Sequence, residues 1–263
     1  MSRIKNKNIL RIITLGSKTA KGGFRNERDI VKKFKNWQND IDTQDWLILM
    51  GYKIREIEKV EAVILHGFKT DVQVKITIYL KKAISSENLS IKLVSNKKIV
   101  VNPRGFNQVD KRWVNKYVEM WNIPEDVGKL LKIFTGEITP NQNVKLKDKR
   151  RILFTEMDKI SQNKVINFFS KNKILVVSDI LKGRDLMSAE WMMVALNIDN
   201  KTRWVLKSIN YAMNIFGDGD VRITERGSLK IGKILMQRKG GDRGRPTANM
   251  LQFKINPIEL FTD

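Results

Sequence analysis

Strict alternation between apolar and polar side chains over residues 72–80 is the feature that most constrains the fold of this chain. The even-numbered side chains from 72 to 80 are all apolar, and those between them are polar. A period of two puts one set on each face of a β-strand. A short apolar run at 60–65 precedes this segment across a turn at 67–70, and alternation returns at 89–93 after a polar connector at 85–88. We therefore predict three neighbouring strands.

Helical spacing of apolar residues appears on both sides of these strands. We predict helices at about 24–38, 110–121, 125–135, 156–170 and 204–216, with short strands in the rest of the chain after residue 174. A basic connector covers 145–151, and a glycine-rich basic stretch at 237–245 precedes a last apolar strand. The expected fold class is α/β, a central mixed β-sheet flanked by helices with an α+β C-terminal half.

The charge of the chain indicates a polyanionic partner. Lys and Arg number 50 against 28 Asp and Glu, which gives a formal charge of +22. The absence of Cys and the presence of one His exclude zinc fingers and thiol catalysis, and leave carboxylates, amines, hydroxyls and a hard metal ion for any chemistry. Apolar stretches are too short to span a membrane and the first residues do not resemble an export signal, so we expect a cytoplasmic protein.

Three polar residues at the predicted strands form a candidate catalytic group. Asp71 stands at the start of the second strand, and Ser90 and Lys92 lie two residues apart on the third, so that they share a face. A carboxylate that holds a metal ion and a cation near the attacking water are what phosphodiester hydrolysis requires. Each residue also has a simpler interpretation, Asp71 as a turn residue and the Ser90–Lys92 pair as a solvated strand face.

The chain resembles the Type II restriction endonucleases of the PD-(D/E)XK superfamily, and among them the HinP group that cuts short GC-rich palindromes. The resemblance covers nearly the whole chain. Its most specific stretches are LGSKTAKGGFRNERDI, KLVSNK, RGFNQVDKRW, FTGE, KDKRR, GRDLMSAEW and QRKGGDRGRPTANMLQFKI. The motif of the superfamily falls on Thr70-Asp71 and on Ser90-Ile91-Lys92. The resemblance implies a restriction-endonuclease-like fold, with residues 1–263 as one domain, residues 15–122 as its catalytic half and residues 123–263 contributing to DNA binding.

The resemblance also implies a set of site residues and a cofactor. Asp71, the main-chain carbonyl of Ile91 and Glu27 would bind Mg²⁺, Lys92 would orient or activate water, and Ser90 would be auxiliary. The chain departs from the family pattern at Ser90, where an acidic residue is usual, and by six extra residues at 98–103. A serine hydroxyl is a weaker metal ligand than a carboxylate, which gives Glu27 its expected role. Glu27 has an open alternative as a helix cap or surface charge.

Two segments are expected to contact DNA. Resemblance supports base contacts in the first, which we predict to be a loop, and glycines with fork-shaped arginine donors suggest the second. Phe106 is predicted to wedge between base steps, with core packing as its alternative. The basic connector at 145–151 is expected to contact phosphates or to be a solvated loop. The candidate residues are Arg104, Phe106, Asn107, Gln108 and Lys111 in the first segment, and Gln237, Arg238, Lys239, Arg243 and Arg245 in the second.

The resulting hypothesis is a Mg²⁺-dependent enzyme that hydrolyses double-stranded DNA at a short GC-rich palindrome, and the nearest relatives suggest GCGC. A host with such an enzyme should also carry a cognate DNA methyltransferase. A palindromic target fits either a monomer or a homodimer. The rival hypothesis is a non-catalytic basic DNA- or RNA-binding protein on the same fold, which Ser90 keeps open.

Overall fold

The computed structural model describes residues 25–65, 74–95, 106–140, 146–148, 151–198, 201–240 and 245–261. Chain contacts divide it into two compact units. The first takes its described residues from Met1–Gly105, Lys182–Ala212 and Pro257–Asp263, and the second takes them from Phe106–Leu181 and Met213–Asn256. The single domain with halves that meet near residue 122 stays a prediction.

A mixed five-stranded sheet forms the first unit, in the order β1-β2-β3-β5-β6. Its strands are β1 (Ile57–Ile64), β2 (Val74–Leu80), β3 (Ala83–Ser95), β5 (Trp191–Ile198) and β6 (Lys201–Ser208). β3 and β5 are parallel, and the other neighbours are antiparallel. Among its described residues, this unit contains the helices α1 over residues 25–35 and α2 (Ile41–Leu49). The expected mixed sheet with flanking helices is confirmed.

Alternation builds the core of the first unit as predicted. Ile76 and Ile78 of β2 are fully buried with Ile30 and Phe34 of α1 in one apolar cluster. The polar connector predicted at 85–88 is wrong, because these residues continue β3 and pair with β2, Ser85 opposite Ile78. The turn between β2 and β3 is instead the short connection at residues 81–82.

An antiparallel five-stranded sheet forms the second unit, in the order β4-β10-β9-β8-β7. Its strands are β4 (Asn107–Arg112), β7 (Val221–Ile223), β8 (Leu229–Ile231), β9 (Ile234–Arg238) and β10 (Leu251–Ile255). Its helices are α3 (Val114–Trp121), α4 (Glu125–Thr135), α5 (Lys159–Lys171) and α6 (Lys173–Leu181). They cover the apolar face of the sheet, where the Tyr117 and Trp121 rings meet Phe253 of β10 at 5.2 and 5.7 Å between centroids.

Several predicted helix boundaries are wrong for one physical reason. Residues 107–112 and 201–208 are strands, and the helices begin only after them, at Val114 for α3 and at Ile209 for α7 (Ile209–Gly217). In both places strand pairing with a neighbour outweighs the local helical spacing. Residues 173–181, expected to include strand, form the helix α6. Among the described helices, none is long and apolar enough to cross a membrane.

Gly232, in the tight turn between β8 and β9, provides a test of the second unit. Its φ is +56°, and a Cβ atom there would lie 2.6 Å from the Gly217 carbonyl oxygen. We expect Gly232→Ala to lower the free energy of unfolding by about 2–4 kcal/mol, through backbone strain and the clash. The matched control is Gly240→Ala, with φ +63° but nothing within 4 Å, which should cost about 1 kcal/mol. Equal losses in urea denaturation would contradict the packing described for Gly232.

Candidate active site and nucleic-acid interface

Ser90 and Lys92 lie together on one face of β3. They are register partners of Met192 and Val194 on the parallel strand β5, and both of these side chains are fully buried. Ser90 is 1% exposed and Lys92 is 7% exposed. The alternative of a solvated strand face is therefore wrong for both residues. A lysine this deeply buried is uncommon, because Lys is almost never fully buried unless it is paired.

The Ser90 hydroxyl is an unusual buried group. Its Oγ atom has no hydrogen-bond partner among the described residues. Buried hydroxyl groups are nearly always satisfied, because an unsatisfied one costs about 1–3 kcal/mol. The hydroxyl is thus placed to accept a further ligand, such as water or a hard cation, beside the Lys92 side chain.

A cluster around Glu87 fixes the start of this segment of β3. The Trp191 indole Nε1 donates to Glu87 Oε2 at 2.8 Å, and the Tyr52 hydroxyl donates to Glu87 Oε1 at 2.5 Å. Ser85 Oγ lies 2.7 Å from the same hydroxyl. Burial, followed by the hydrogen bond to Glu87, raises the pKa of Tyr52 to about 12. The Trp191 bond ties β3 to β5 a few residues before Ser90, and the Tyr52 bonds tie β3 to the segment that follows α2.

Asn88 and Glu190 add a second link between the two strands. The Asn88 backbone N–H donates to Glu190 Oε2 at 2.6 Å, and the Glu190 N–H donates to the Asn88 carbonyl at 3.0 Å. The Asn88 side chain also donates to the carbonyls of Leu186 and Ser188. The GRDLMSAEW stretch that carries part of the family resemblance therefore has a structural role here, in holding β3 in register.

Glu27 belongs to α1, the helix that packs against β3 on the face opposite Ser90 and Lys92. Glu27, Ile30 and Phe34 share one side of α1 by their spacing, and the latter two belong to the buried cluster that contains Leu89 and Ile91. The side chains at 89 and 91 alternate with those at 90 and 92, so α1 covers the other face of the strand. Glu27 is only 9% exposed, so the interpretation as a surface charge is wrong.

The structure tests only part of the expected metal site. Asp71 lies outside the described residues, and the described pairing of β2 with β3 ends at Val74 opposite Leu89. Within the described part of the chain, no group of three or more His, Asp or Glu side chains is placed to hold a metal ion. Among the described residues, the structure brings together the Ser90 hydroxyl, the Lys92 amine and the backbone of Ile91 on β3.

Three of the predicted DNA-contacting residues share one face of the second sheet. Lys111 of β4 is the register partner of Gln252 on β10, and Gln252 is the partner of Gln237 on β9. Gln108 pairs with Lys254 of β10. Residues directly opposite each other in an antiparallel sheet point to the same face, so the two predicted segments share one polar face. Gln252, between them, is 3% exposed, and its side chain donates to the carbonyls of Arg238 and Lys239.

The first predicted segment is largely strand instead of loop. β4 begins at Asn107 and contains Asn107, Gln108 and Lys111. The loop prediction is therefore wrong for these three residues. Phe106 is 43% exposed, so core packing is wrong for it. Arg104 lies outside the described residues. The strand fixes the direction of each polar side chain, which a free loop would not do.

Arg238 is held within the protein. It is 7% exposed, its Nε donates to the Ala248 carbonyl at 3.2 Å, and its guanidinium also bonds the Asn249 side chain. Asp148 Oδ2 lies 3.8 Å from Arg238 Nη1 and 3.4 Å from Nε of Arg151. Two of the predicted basic segments are therefore joined through one carboxylate, and the two arginines have a structural role.

The remaining residues of the second segment are more open. Arg245 is exposed and Lys239 is partly buried, while Arg243 lies outside the described residues. Sequence analysis did not single out Gln252 or Lys254 on the same face. The alternation within Leu251–Ile255, where polar residues stand between apolar ones, was the signal that could have found them.

Comparison with known proteins defines the class of this protein. The solved structure of the restriction endonuclease MspI in complex with its cognate DNA matches the fold with a TM-score of 0.63 and 12% identity, over 92% of each chain. The fold is thus a restriction-endonuclease fold. None of the curated proteins compared with the chain matches it.

The family follows from a separate comparison. The family model "R.HinP1I restriction endonuclease" matches residues 50–261, and the chain belongs to this family. This is a family of DNA-cleaving enzymes, and the expected family resemblance is confirmed. The match includes β3 with Ser90 and Lys92, as well as the polar face of the second sheet.

The raised pKa of Tyr52 predicts a pH-dependent contribution to stability. At pH 8 we expect Tyr52→Phe to lower the free energy of unfolding by about 1.5 kcal/mol, through loss of the hydrogen bond to Glu87. A raised folded-state pKa means that this contribution is fully present below the unfolded value near 10, and is lost as pH rises towards about 12. Denaturant unfolding at pH 8, 10 and 11 should show the difference between the two proteins shrinking. A constant or growing difference would contradict the Glu87 cluster.

Proposed function

We propose that this protein is a Type II restriction endonuclease that uses Mg²⁺ to hydrolyse double-stranded DNA at a short GC-rich palindrome, with GCGC as the target. The observation that carries the proposal is a buried lysine, Lys92, on the same strand face as the buried Ser90 hydroxyl, which has no hydrogen-bond partner among the described residues, in a restriction-endonuclease fold. Its family and the MspI structure with DNA support a double-stranded DNA substrate. Such an enzyme belongs to a restriction-modification system with a methyltransferase of the same specificity.

Lys92 performs the central step in this proposal. Its ammonium group orients the attacking water at the scissile phosphate and stabilises the negative charge that develops as the water oxygen bonds to phosphorus. The P–O3′ bond breaks in the same displacement, and the products are a 5′-phosphate and a 3′-hydroxyl. Burial strengthens the interaction, because Coulombic attraction in a protein interior is less screened than in water.

Mg²⁺, when bound, polarises the phosphate and lowers the pKa of its bound water. The proposed ligands are the Asp71 carboxylate and the carbonyl of Ile91, with the Ser90 hydroxyl as a neutral auxiliary group. These are oxygen donors, which a hard cation prefers. Val74 of β2 pairs with Leu89 of β3. Asp71 precedes Val74 by three residues, and Lys92 follows Leu89 by three. Asp71 would therefore stand opposite Lys92 if the antiparallel pairing of the two strands continues, as the proposal requires. Glu27 would complete the shell only by reaching past the edge of β3.

DNA reading is assigned to the second unit. Gln108 and Lys111 would hydrogen-bond base edges, with Lys suited to O6 and N7 of guanine, and the exposed Phe106 would insert at a base step. Gln237, Lys239 and Arg245, together with Arg104 and Arg243 from outside the described residues, would add polar and phosphate contacts. The protein would act as a monomer or as a homodimer on its palindrome.

A second candidate function is a DNA-binding protein that has lost catalysis. The observation that favours it is Ser90 in the usual place of an acidic residue, together with the lack of a three-carboxylate group among the residues described. The two candidates differ in one measurable property, metal-dependent cleavage.

Cleavage by the wild-type protein separates these candidates, and replacement of Lys92 tests the role assigned to this residue. We expect Lys92→Ala to slow cleavage of plasmid DNA in Mg²⁺ by about 10²–10³-fold while DNA binding changes little. The control is Lys59→Ala, which removes an exposed lysine paired with Glu61 in the same unit and should leave cleavage unchanged. EDTA should stop cleavage by the wild-type protein. Absence of cleavage of any unmodified or methylated DNA by the wild-type protein would establish the second candidate.

Ser90 provides a test in which stability and activity move differently. Ser90→Ala removes a buried hydroxyl that has no hydrogen-bond partner in the described parts of the chain, so we expect the free energy of unfolding to stay constant or to rise by about 1 kcal/mol. Loss of an auxiliary ligand should raise the Mg²⁺ concentration for half-maximal cleavage by about tenfold. An unchanged Mg²⁺ dependence would remove Ser90 from the site.

A further inference from the structure

A row of three cations crosses the polar face of the second sheet. The register partners in this row are Gln108 of β4, Lys254 of β10, Leu235 of β9, Lys230 of β8 and Arg222 of β7. All five strands contribute one side chain each, and antiparallel pairing points these side chains to the same face. The row begins at Gln108, a proposed base contact, and ends at the far edge of the sheet.

None of the three cations in the row has an acidic partner among the described residues. The ion pairs found in the described parts of the chain include neither Lys254 nor Lys230 nor Arg222. Lys254 is partly buried, and burial alone lowers its pKa. A cation held out of water without an anion is unfavourable, so this side chain does not serve the stability of the folded chain.

The opposite face of the same sheet accounts for folding. Leu229, Ile231, Met236 and Phe253 point to that side, and all four are fully buried beneath the helices of the unit. A sheet with one apolar and one polar face needs no cations aligned on the polar side. Their alignment without counter-charges among the described residues points to a negatively charged ligand.

The dimensions of the row fit a nucleic-acid backbone. Strands lie about 4.8 Å apart, so the row extends about 19 Å from β4 to β7. That length is about half of one helical turn of a DNA duplex. Lys254 and Lys230 lie two strand spacings apart, about 10 Å, with β9 between them. Arg222 lies one spacing further, so each of the three long side chains can reach a different phosphate.

We propose that Lys254, Lys230 and Arg222 form a phosphate track that binds one backbone of the DNA substrate and leads away from the base-reading residues. The inference rests on the proposed function, since the ligand is the same duplex. The track contributes affinity and register without sequence information, because phosphates are identical along the backbone.

Salt dependence of binding tests the track. The slope of log K against log salt is negative, and each lost phosphate contact makes it shallower by about 0.9. Between 50 and 200 mM salt, the Kd of such a variant should therefore rise by a factor about 3.5 times smaller than that of the wild-type protein. We expect this change for each of Lys254→Met, Lys230→Met and Arg222→Met, and about three times the change in slope for the triple variant. The loss should be equal for GCGC-containing and random duplexes. Lys164→Met removes the same charge from α5 of this unit, where it is paired with Asp126, and should leave the slope unchanged.

Further measurements keep the outcomes distinct. Lys254→Met should keep or raise the free energy of unfolding. Lys254→Arg, which keeps the charge, should have the wild-type salt slope. If Lys254→Met loses stability together with DNA binding, Lys254 has a structural role and its assignment to the track is wrong. If Lys254→Met does not fold, the partly exposed Lys230 and exposed Arg222 carry the test. A wild-type protein that cleaves DNA, with unchanged slopes in all three variants, or with losses confined to the GCGC duplex, would overturn the track alone. A wild-type protein that neither binds nor cuts duplex DNA would overturn the proposed function as well.

Discussion

The parallel pairing of β3 with β5 is the constraint on which the candidate active site depends. It seals one edge of the segment 89–95 and buries Ser90 and Lys92 against side chains that are fully inaccessible. Glu87, Trp191 and Glu190 fix the register at the point where the two strands begin to pair. Without this pairing Lys92 would be a solvated lysine on a strand, with the weak electrostatic influence of a charge in water.

The second sheet also has two distinct faces, because its strands alternate between apolar and polar side chains. Its apolar face forms a core with α3 and its neighbours, and its polar face carries amides and cations in register across the strands. Strands hold such side chains at fixed spacing, while the excess of positive charge along the whole chain supplies long-range attraction to DNA. In the proposed function, catalysis and base reading belong to separate sheets, each built by the period-two alternation that marks the sequence.

The fold could be predicted from the sequence where a local pattern of apolar and polar residues had one physical explanation. Alternation at 72–80 predicted a strand with one buried face, and the described part of β2 has this form, with Val74, Ile76 and Ile78 fully buried. It failed where long-range pairing decided the outcome. Ser85 and Glu87 looked like a polar connector, yet they are strand residues because β2 and Tyr52 satisfy them. Arg238 stays a predicted DNA contact, and the structure adds intramolecular partners for it at Ala248, Asn249 and Asp148 that no local pattern indicates. Burial of Lys92 likewise depends on β5, about one hundred residues away in the sequence.

The central claim is that the strand carrying Ser90 and Lys92 cuts DNA together with a metal ion held by Asp71. The most direct test is the single-turnover cleavage rate of a GCGC-containing duplex as a function of Mg²⁺ concentration, for the wild-type protein and for Asp71→Asn. Loss of a metal ligand should slow cleavage by at least about 100-fold while the affinity for the duplex in Ca²⁺ is retained. An Asp71→Asn variant that cuts at the wild-type rate, or a wild-type protein that cuts in the presence of EDTA, would contradict this account.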